Sequence, residues 1–520
     1  MNLRVTAGAI ERWRRFGVFP DDAEEVARAG RPEDRIELSQ LRENARVQAV
    51  GSALVSPSTL RCKPDNIASG VPLQWDETWH RNTIAAITSG QSFIQGMLST
   101  DEVMATIDRG DYNTRAEGWE FRLYRAATGV RPSLEDEAAL VLFIAEALEI
   151  PVHGIYLMYL NKKFVAGETE WSELFRESNI TRRCDARKDR VHGMIVEMQH
   201  RRIRERSGKE RSSDIPRDIY DVRTLHKGRD VGEQLYRQGI KDIRDIPPGT
   251  VKLSEKQRIQ VQAIRDDRLH INFPRLQGFV DRIVWPVTFL DFEAYSQSVP
   301  PFDGLRPFEH APVIASVHRQ EEPGGPAEAF RFLPSPGVDC RNDLFQWLSG
   351  VAGTVGTILV YSQMFESAMV RQISRTTGME REGQNLIDRM MDLLVPFAEF
   401  YLYDPGQLGK VSLKTVLPVF TDDSYEESPV QDGMEANLSW TMAADARVAP
   451  DEFPRYIGAQ AAQLVDHRLQ ERFSAESWMR PSSIEEIATY CAVDTYAMVM
   501  LCNKILSLLS SGERHKKDPA

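Results

Sequence analysis

The chain has 520 residues and a mass of 59.1 kDa, more than one ordinary hydrophobic core accommodates, so two or three domains are expected. Its 42% hydrophobic content and formal net charge of −12 fit a globular chain and argue against a uniformly basic nucleic-acid binder. A nuclease stays compatible with that charge, because a carboxylate-lined metal site is itself negative until cations bind.

Five cysteines (Cys62, Cys184, Cys340, Cys491, Cys502) form no CxxC pair, which favours buried reduced thiols over a disulfide scaffold or a thiolate-bound zinc or iron–sulfur site. No run of about 18 apolar residues stands out, and the first residues carry charges where a signal peptide has its apolar stretch. A cytoplasmic protein with no membrane partner is the expectation.

In chain order, residues 21–47 show an acidic, arginine-rich helical pattern. Apolar segments alternating with turns from Gln91 to Asp111, then Trp119–Tyr124, read as strands. Ser133–Leu148 reads as a helix started by Ser133, and residues 153–161 as a buried strand. Together these make a small α/β unit.

Residues 182–211 hold eleven Lys or Arg against five acids, a local charge near +6. A solvated helical face with ordinary ion pairs is one reading; a phosphate-contacting surface using Arg201, Arg202 and Arg204 is the other. Residues 215–280 read as short helices joined by Gly and Pro turns, a connector with a faint likeness to a helix-hairpin DNA-binding element.

The chemistry concentrates further on. Val284–Phe292 reads as an apolar strand that ends by presenting Asp291 and Glu293, which as i and i+2 face the same way. Two such carboxylates repel unless a cation joins them, and Mg²⁺ or Mn²⁺ takes oxygen ligands of this kind. Thr357–Tyr361 is a second apolar strand leading into a helical start that carries Glu366. A helix beginning near Ser482 or Ser483 places Tyr490 and Asp494 on one face. Asp388 and Asp392, in the helical-looking stretch NLIDRMMDLLVP, are spare acids read as surface or structural.

A strand DxE, a distant acid after a second strand, and a helical YxxxD resemble the tyrosine-bearing branch of the DEDD exonuclease superfamily. That resemblance implies an RNase H-like domain holding two Mg²⁺ or Mn²⁺ ions through Asp291, Glu293, Glu366 and Asp494, with Tyr490 orienting the attacking water. The superfamily's middle element is Asn, two residues, Phe and Asp; here Ser362 and Glu366 stand at its ends. More closely, FLDFEAYSQSVPPFDG, VYSQMFE, VSLKTVLPVF, YEESPVQDGMEA and YCAVDTYAMV resemble the bacterial family labelled domain of unknown function 2779. The recurring fragments at 302–304, 412–414 and 431–433 suggest loops near the cleft, with Lys414 approaching a phosphate or simply packing.

Members of that family commonly carry an N-terminal domain similar to PD-(D/E)XK nucleases of the RecB and Cas4 kind. Here Asp108 matches the first metal ligand, but the E-x-K pair falls on Leu123 and Arg125. Leucine ligates nothing, and arginine is a poor substitute for the catalytic lysine. Strand parity argues against compensation by Glu120. The family's cysteine-rich segment has no cysteine at Ser207–Ile219, so no iron–sulfur cluster is expected.

The chain is therefore read as α/β throughout. A degenerate PD-(D/E)XK-like domain with an N-terminal helical part covers 1–214, a helical connector 215–280, an RNase H-like DEDD exonuclease domain 281–510, and a disordered tail 511–520. The expected function is 3′→5′ hydrolysis of DNA or RNA, with single-stranded ends as substrate and a protein partner at the N-terminal domain. The alternatives are a non-catalytic nucleic-acid-binding or assembly subunit of a DNA-processing or defence complex, and hydrolysis of a small nucleotide or short oligonucleotide.

Overall fold

The computed structural model describes residues 5, 6, 10, 32–56, 59–64, 75–204, 218–425, 428, 430, 432–447, 455, 457–460 and 482–517. In its N-terminal half, helix α1 (Pro32–Ala53) precedes strand β1 (Leu60–Arg61), helix α2 (Glu77–Thr88), strands β2 (Phe93–Ser99), β3 (Met104–Asn113) and β4 (Gly118–Arg125), helix α3 (Pro132–Ala147) and strands β5 (Val152–Leu160) and β6 (Phe175–Asn179). The six strands lie side by side in sequence order. β2, β3 and β4 form an antiparallel meander; the chain then crosses through α3 so that β5 runs parallel to β4.

α3 is apolar on nearly every side and sinks into the core against Phe93, Ile107, Phe121 and Leu123. Ser133 does not start it: Arg131 holds the cap position and Pro132 opens the first turn, where the fixed proline φ suits a helix and its missing N–H costs nothing. Helix α4 (Lys188–Arg204) packs against α3.

The connector contains α5 (Arg229–Arg237) and α6 (Glu255–Asp266), the latter begun by a reciprocal cap between Ser254 and Gln257. Val222, Leu225, Leu235, Ile243, Ile246, Val261 and Ile264 give it a small core of its own.

The C-terminal half is built on strands β7 (Val287–Tyr295), β8 (Ala311–Gln320), β9 (Ala327–Phe332), β10 (Thr357–Val360) and β11 (Met390–Asp392), in the spatial order β9-β8-β7-β10-β11. β10 is parallel to β7 and β11 to β10, while β8 runs antiparallel to both β7 and β9. Helices α7 (Arg341–Ala352), α8 (Gln363–Thr377) and α9 (Glu380–Asp388) cover one face, taking Leu290 and Phe292 of β7 into their core. α10 (Leu413–Phe420), α11 (Gly433–Asp445) and α12 (Ile484–Lys517) cover the other, where Val287 and Phe289 meet Met498, Leu501, Cys502 and Ile505. Gly356 makes the central pairing possible. Its φ is +90°, and a Cβ there would come within 1.9 Å of the Pro286 carbonyl oxygen just ahead of β7.

Three expectations need correction. β7 does not end at Phe292 but runs on to Tyr295, because Tyr295 finds its own core with Phe302 and Trp440. The stretch 385–396 is not one helix: α9 stops at Asp388, and 390–392 joins the sheet beside β10, so tertiary pairing overrides local propensity. Residues 511–517, expected to be disordered, continue α12 to Lys517. By length and composition Ile484–Ser511 is also apolar enough to cross a membrane; here that apolarity serves the sheet it lies on.

α1 joins the two halves. Its Asn44 accepts a bond from the Ala126 amide of the first half, while its Glu43 accepts one from Ser298 of the second. Arg42 and Arg46, both buried, converge on Asp445 at 2.8 and 2.5 Å. Removing Asp445 takes the shared counter-charge away from two buried guanidinium groups. Asp445→Ala is therefore expected to cost about 3–5 kcal/mol, read as a lowered urea midpoint, whereas exposed Asp388→Ala stays within about 0.5 kcal/mol of wild type.

Candidate metal centre

Alternation along β7 sends Val287, Phe289, Asp291 and Glu293 toward α12. α12 answers in register: apolar Met498 and Cys502 share a core with Val287 and Phe289, and about two turns before Met498 Cys491 reaches Asp291. Tyr490, Cys491 and Asp494 share that side of the helix, as their spacing requires. The helix is started by a reciprocal cap in which Ser483 and Glu486 exchange bonds, which settles the start on Ser483. A register shift at Glu293/Ala294 disturbs the β7–β8 pairing beside these acids, a common device for re-aiming side chains near sites.

Oxygens of Asp291 and Glu293 and the sulfur of Cys491 lie within 4.8 Å of one another. The Cys491 thiol donates to Asp291 Oδ2 at 3.3 Å. Asp494 accepts bonds from the hydroxyls of Tyr425 and Tyr490. Glu366, in the first turn of α8, is only 2% exposed, and among the described residues its Oε2 has no hydrogen-bond partner. The four acids that sequence reasoning selected, Asp291, Glu293, Glu366 and Asp494, thus come from three separate elements to one electrostatically coupled cluster, with Tyr490 beside them.

The electrostatics follow from burial and like charge. Desolvation first, then the Asp494 carboxylate, holds Asp291 well above the usual range. Glu293 is raised by desolvation and by Asp291 and Asp494, with Lys414 opposing. Glu366 is raised by desolvation and by Asp291, Glu293 and Asp494. Asp494 rises less, to about 6, because the tyrosine hydroxyls and Lys414 favour its charge. Lys414 lies 4.7 Å from the Tyr490 ring and 5.4 Å from the Tyr425 ring, so it belongs to the site.

An orphaned buried carboxylate oxygen among mutually repelling acids is the chemistry of a divalent-cation site with hard oxygen donors, and Asp291, Glu293, Glu366 and Asp494 fit Mg²⁺ or Mn²⁺.

The spare acids are otherwise engaged. Asp392, at the end of β11, accepts from the amides of Ser362, Gln363 and Leu394, each at 3.0 Å, and so fixes the start of α8. Exposed Asp388 accepts from Gln384. Ser362 has φ +95°, a left-handed conformation that asparagine and glycine tolerate better than serine. Sequence reasoning missed Tyr425 and Cys491. Cys491 was detectable as the i−3 neighbour of Asp494, whereas Tyr425, in a loop far along the chain, gave no periodic signal.

Elsewhere the outcome differs. Buried Asp108 is bonded to Arg125 at 2.5 Å and to the Tyr124 amide at 2.7 Å, while Arg125 also grips Glu137 at 2.6 Å. Leu123 is core. Glu120 pairs with Asn113 and Arg122, away from Asp108 as strand parity requires. In the basic run, Arg183 and Arg187 pair with Glu135, Arg187 also with Asp136, and Lys188 with Glu146 and Asp185, which is the ion-paired helical face. Arg201, Arg202 and Arg204 lie on the last turn of α4; their side chains, and residues 205–217, are outside the described residues. The fragment 302–304 is not at the acid cluster. It docks on the N-terminal half, with Gly304 and Leu305 bonded to Ala166, while Asp303 pairs with Arg455 of its own half.

In a cluster of raised carboxyls the folded state prefers the neutral forms. The Asp494 contribution to stability is therefore full below its ordinary value of 3.8 and is lost as pH rises to about 6, roughly 3 kcal/mol at about 1.4 kcal/mol per unit. Without divalent metal, stability is expected to fall as pH rises from about 4 past 6, and Asp291→Asn should raise the metal-free melting temperature at alkaline pH. Added Mn²⁺ should raise that of the wild type and leave the variant unmoved; thermal unfolding in chelator and in Mn²⁺ checks both. Separately, Ser362→Gly should stabilise by about 1 kcal/mol by relieving the left-handed backbone.

No curated protein and no solved structure matches the chain. The model of a family described as Domain of unknown function (DUF2779) matches residues 288–412, a stretch that contains Asp291, Glu293, Ser362 and Glu366 and stops just short of Lys414, and this match supports that family label.

Proposed function

We propose that the C-terminal half is an RNase H-like, metal-dependent 3′→5′ exonuclease on DNA or RNA. The observation that carries the reading is that carboxylates from β7, α8 and α12 raise one another by like charge, one of them, Glu366, with a buried oxygen that has no partner among the described residues. Two further features support it. Numbered within that half, the sheet order is 3-2-1-4-5 with the second strand antiparallel, as in RNase H-like domains. The Tyr490–Asp494 pair also stands as the tyrosine branch of the DEDD superfamily requires.

Bound Mg²⁺ or Mn²⁺ supplies the Lewis acidity that activates the attacking water and stabilises the leaving 3′ oxygen. Asp291 would be the shared ligand, with Glu293, Glu366 and Asp494 completing the set. Tyr490 holds Asp494 and orients the water with its hydroxyl. Lys414, lying over both tyrosine rings, provides the positive charge that meets the substrate phosphate.

The N-terminal half is proposed to be a PD-(D/E)XK-like fold without its chemistry, serving to hold nucleic acid or a protein partner. Its α2-β2-β3-β4-α3-β5 succession and Asp108 support the likeness, and the guanidinium of Arg125 takes the place of both cation and lysine. A non-catalytic binding role for the whole chain is the second reading, favoured by the left-handed Ser362 where the superfamily has asparagine.

End-labelled single- and double-stranded DNA and RNA test the proposal with Mg²⁺ or Mn²⁺. Stepwise loss from the 3′ end is expected of the wild type. Asp291→Asn should lower the rate at least about a thousandfold, as removal of a shared metal ligand does. Asp108→Asn, whose amide oxygen still accepts from Tyr124, should keep it. Equal loss in both variants, or no cleavage by folded wild type with metal present, would remove the exonuclease reading.

A further inference from the structure

Cys491 is the side chain at the centre that a two-metal carboxylate mechanism leaves without a task. Its sulfur stands 3.3 Å from Asp291 Oδ2, and with an oxygen of Glu293 the three donor atoms fit within a 4.8 Å span. Around a tetrahedral zinc, with Zn–S about 2.3 Å and Zn–O about 2.1 Å, neighbouring sulfur and oxygen ligands are about 3.6 Å apart. The observed spacing needs only a small adjustment to meet that geometry. Glu366 lies outside that donor group, but its buried Oε2 lacks a partner among the described residues, and its carboxyl feels the charge of both Asp291 and Glu293. No other cysteine among the described residues belongs to such a donor group.

We propose that Cys491, Asp291 and Glu293 form a site for a thiophilic divalent cation of the zinc class, overlapping the Mg²⁺ or Mn²⁺ centre and excluding it when filled. This rests on the acidic cluster being a metal centre and adds a sulfur ligand to it. Sulfur changes the selectivity: hard Mg²⁺ gains little from a thiolate, whereas Zn²⁺, Co²⁺ and Cd²⁺ gain a strong bond. Binding breaks the S–H bond, sends that proton to solvent, and replaces the hydrogen bond to Asp291 with a shared cation. The hydrolytic centre thereby acquires an inhibitory occupant selected by the same Asp291 that the reaction needs.

Co²⁺ titration of the full chain, followed by thiolate-to-metal charge-transfer absorption, tests this directly. Mn²⁺ binding to the same protein is followed in parallel by electron paramagnetic resonance. The expected result is a charge-transfer band at one equivalent of Co²⁺, displacement of Mn²⁺ by Co²⁺, and loss of the band in Cys491→Ser. Co²⁺ affinity should fall about tenfold or more in that variant, with Mn²⁺ affinity unchanged within about twofold. Cys491→Ala serves as the second variant should serine disturb the packing. Mn²⁺ binding together with Co²⁺ binding that gives no band overturns the sulfur ligand and leaves the metal centre standing. A band that persists in both variants assigns the sulfur elsewhere and also overturns it. Failure of Mn²⁺ to bind at all overturns the metal centre itself, and this inference with it.

Discussion

Four carboxylates held together and largely out of water cannot all be ionised without a cation between them. The C-terminal half is arranged so that this conflict is built in rather than relaxed. β7 is the central strand, paired with β10 through Val287–Phe289 and with β8 along its whole length, so Asp291 and Glu293 extend from a strand fixed on both edges just before them. α12 lies along the same strand and fixes Asp494 there. Behind it, the Thr495 hydroxyl bonds with Ser316 and His318 of β8 at 2.9 and 2.8 Å, so the helix is held in rotation as well as position. The scaffold supplies rigidity by apolar packing, and the acids sit where that packing stops.

The N-terminal half resolves the same electrostatic problem differently. Asp108 is buried too, yet its charge is met by Arg125, which also neutralises Glu137. A guanidinium is a permanent, five-donor cation with no ligand exchange and no accessible deprotonation. It satisfies the carboxylates as a metal does and offers no chemistry in return. The contrast between the two halves is between an acid whose charge the chain's own guanidinium meets and a cluster of acids that raise one another.

Sequence reasoning located the strands and helices that matter because the signals were local. The DxE on an apolar strand, the capped helix with Tyr490 and Asp494 four apart, and the apolar run of α3 are all periodic patterns. It misjudged 385–396 and the end of β7, where tertiary pairing decides. Nor did it find Tyr425, whose bond to Asp494 spans 69 residues of chain. The bridging role of α1 was equally hidden, since Arg42 and Arg46 read as solvated charges until Asp445, some 400 positions on, is seen between them.

Partner counting separates the acids more sharply than position does. Asp392 and Glu366 both lie next to the start of α8, and either spacing suits a metal ligand. Asp392 accepts three backbone amides, two of them pinning the left-handed Ser362 turn, and its lone pairs are spent on that turn. Glu366 keeps a buried oxygen with no partner among the described residues. A buried carboxylate oxygen left unsatisfied costs roughly 1–3 kcal/mol or more, and a fold retains such a cost only where something outside the chain removes it. By that criterion the turn depends on Asp392, and Glu366 is the acid left with an oxygen to offer.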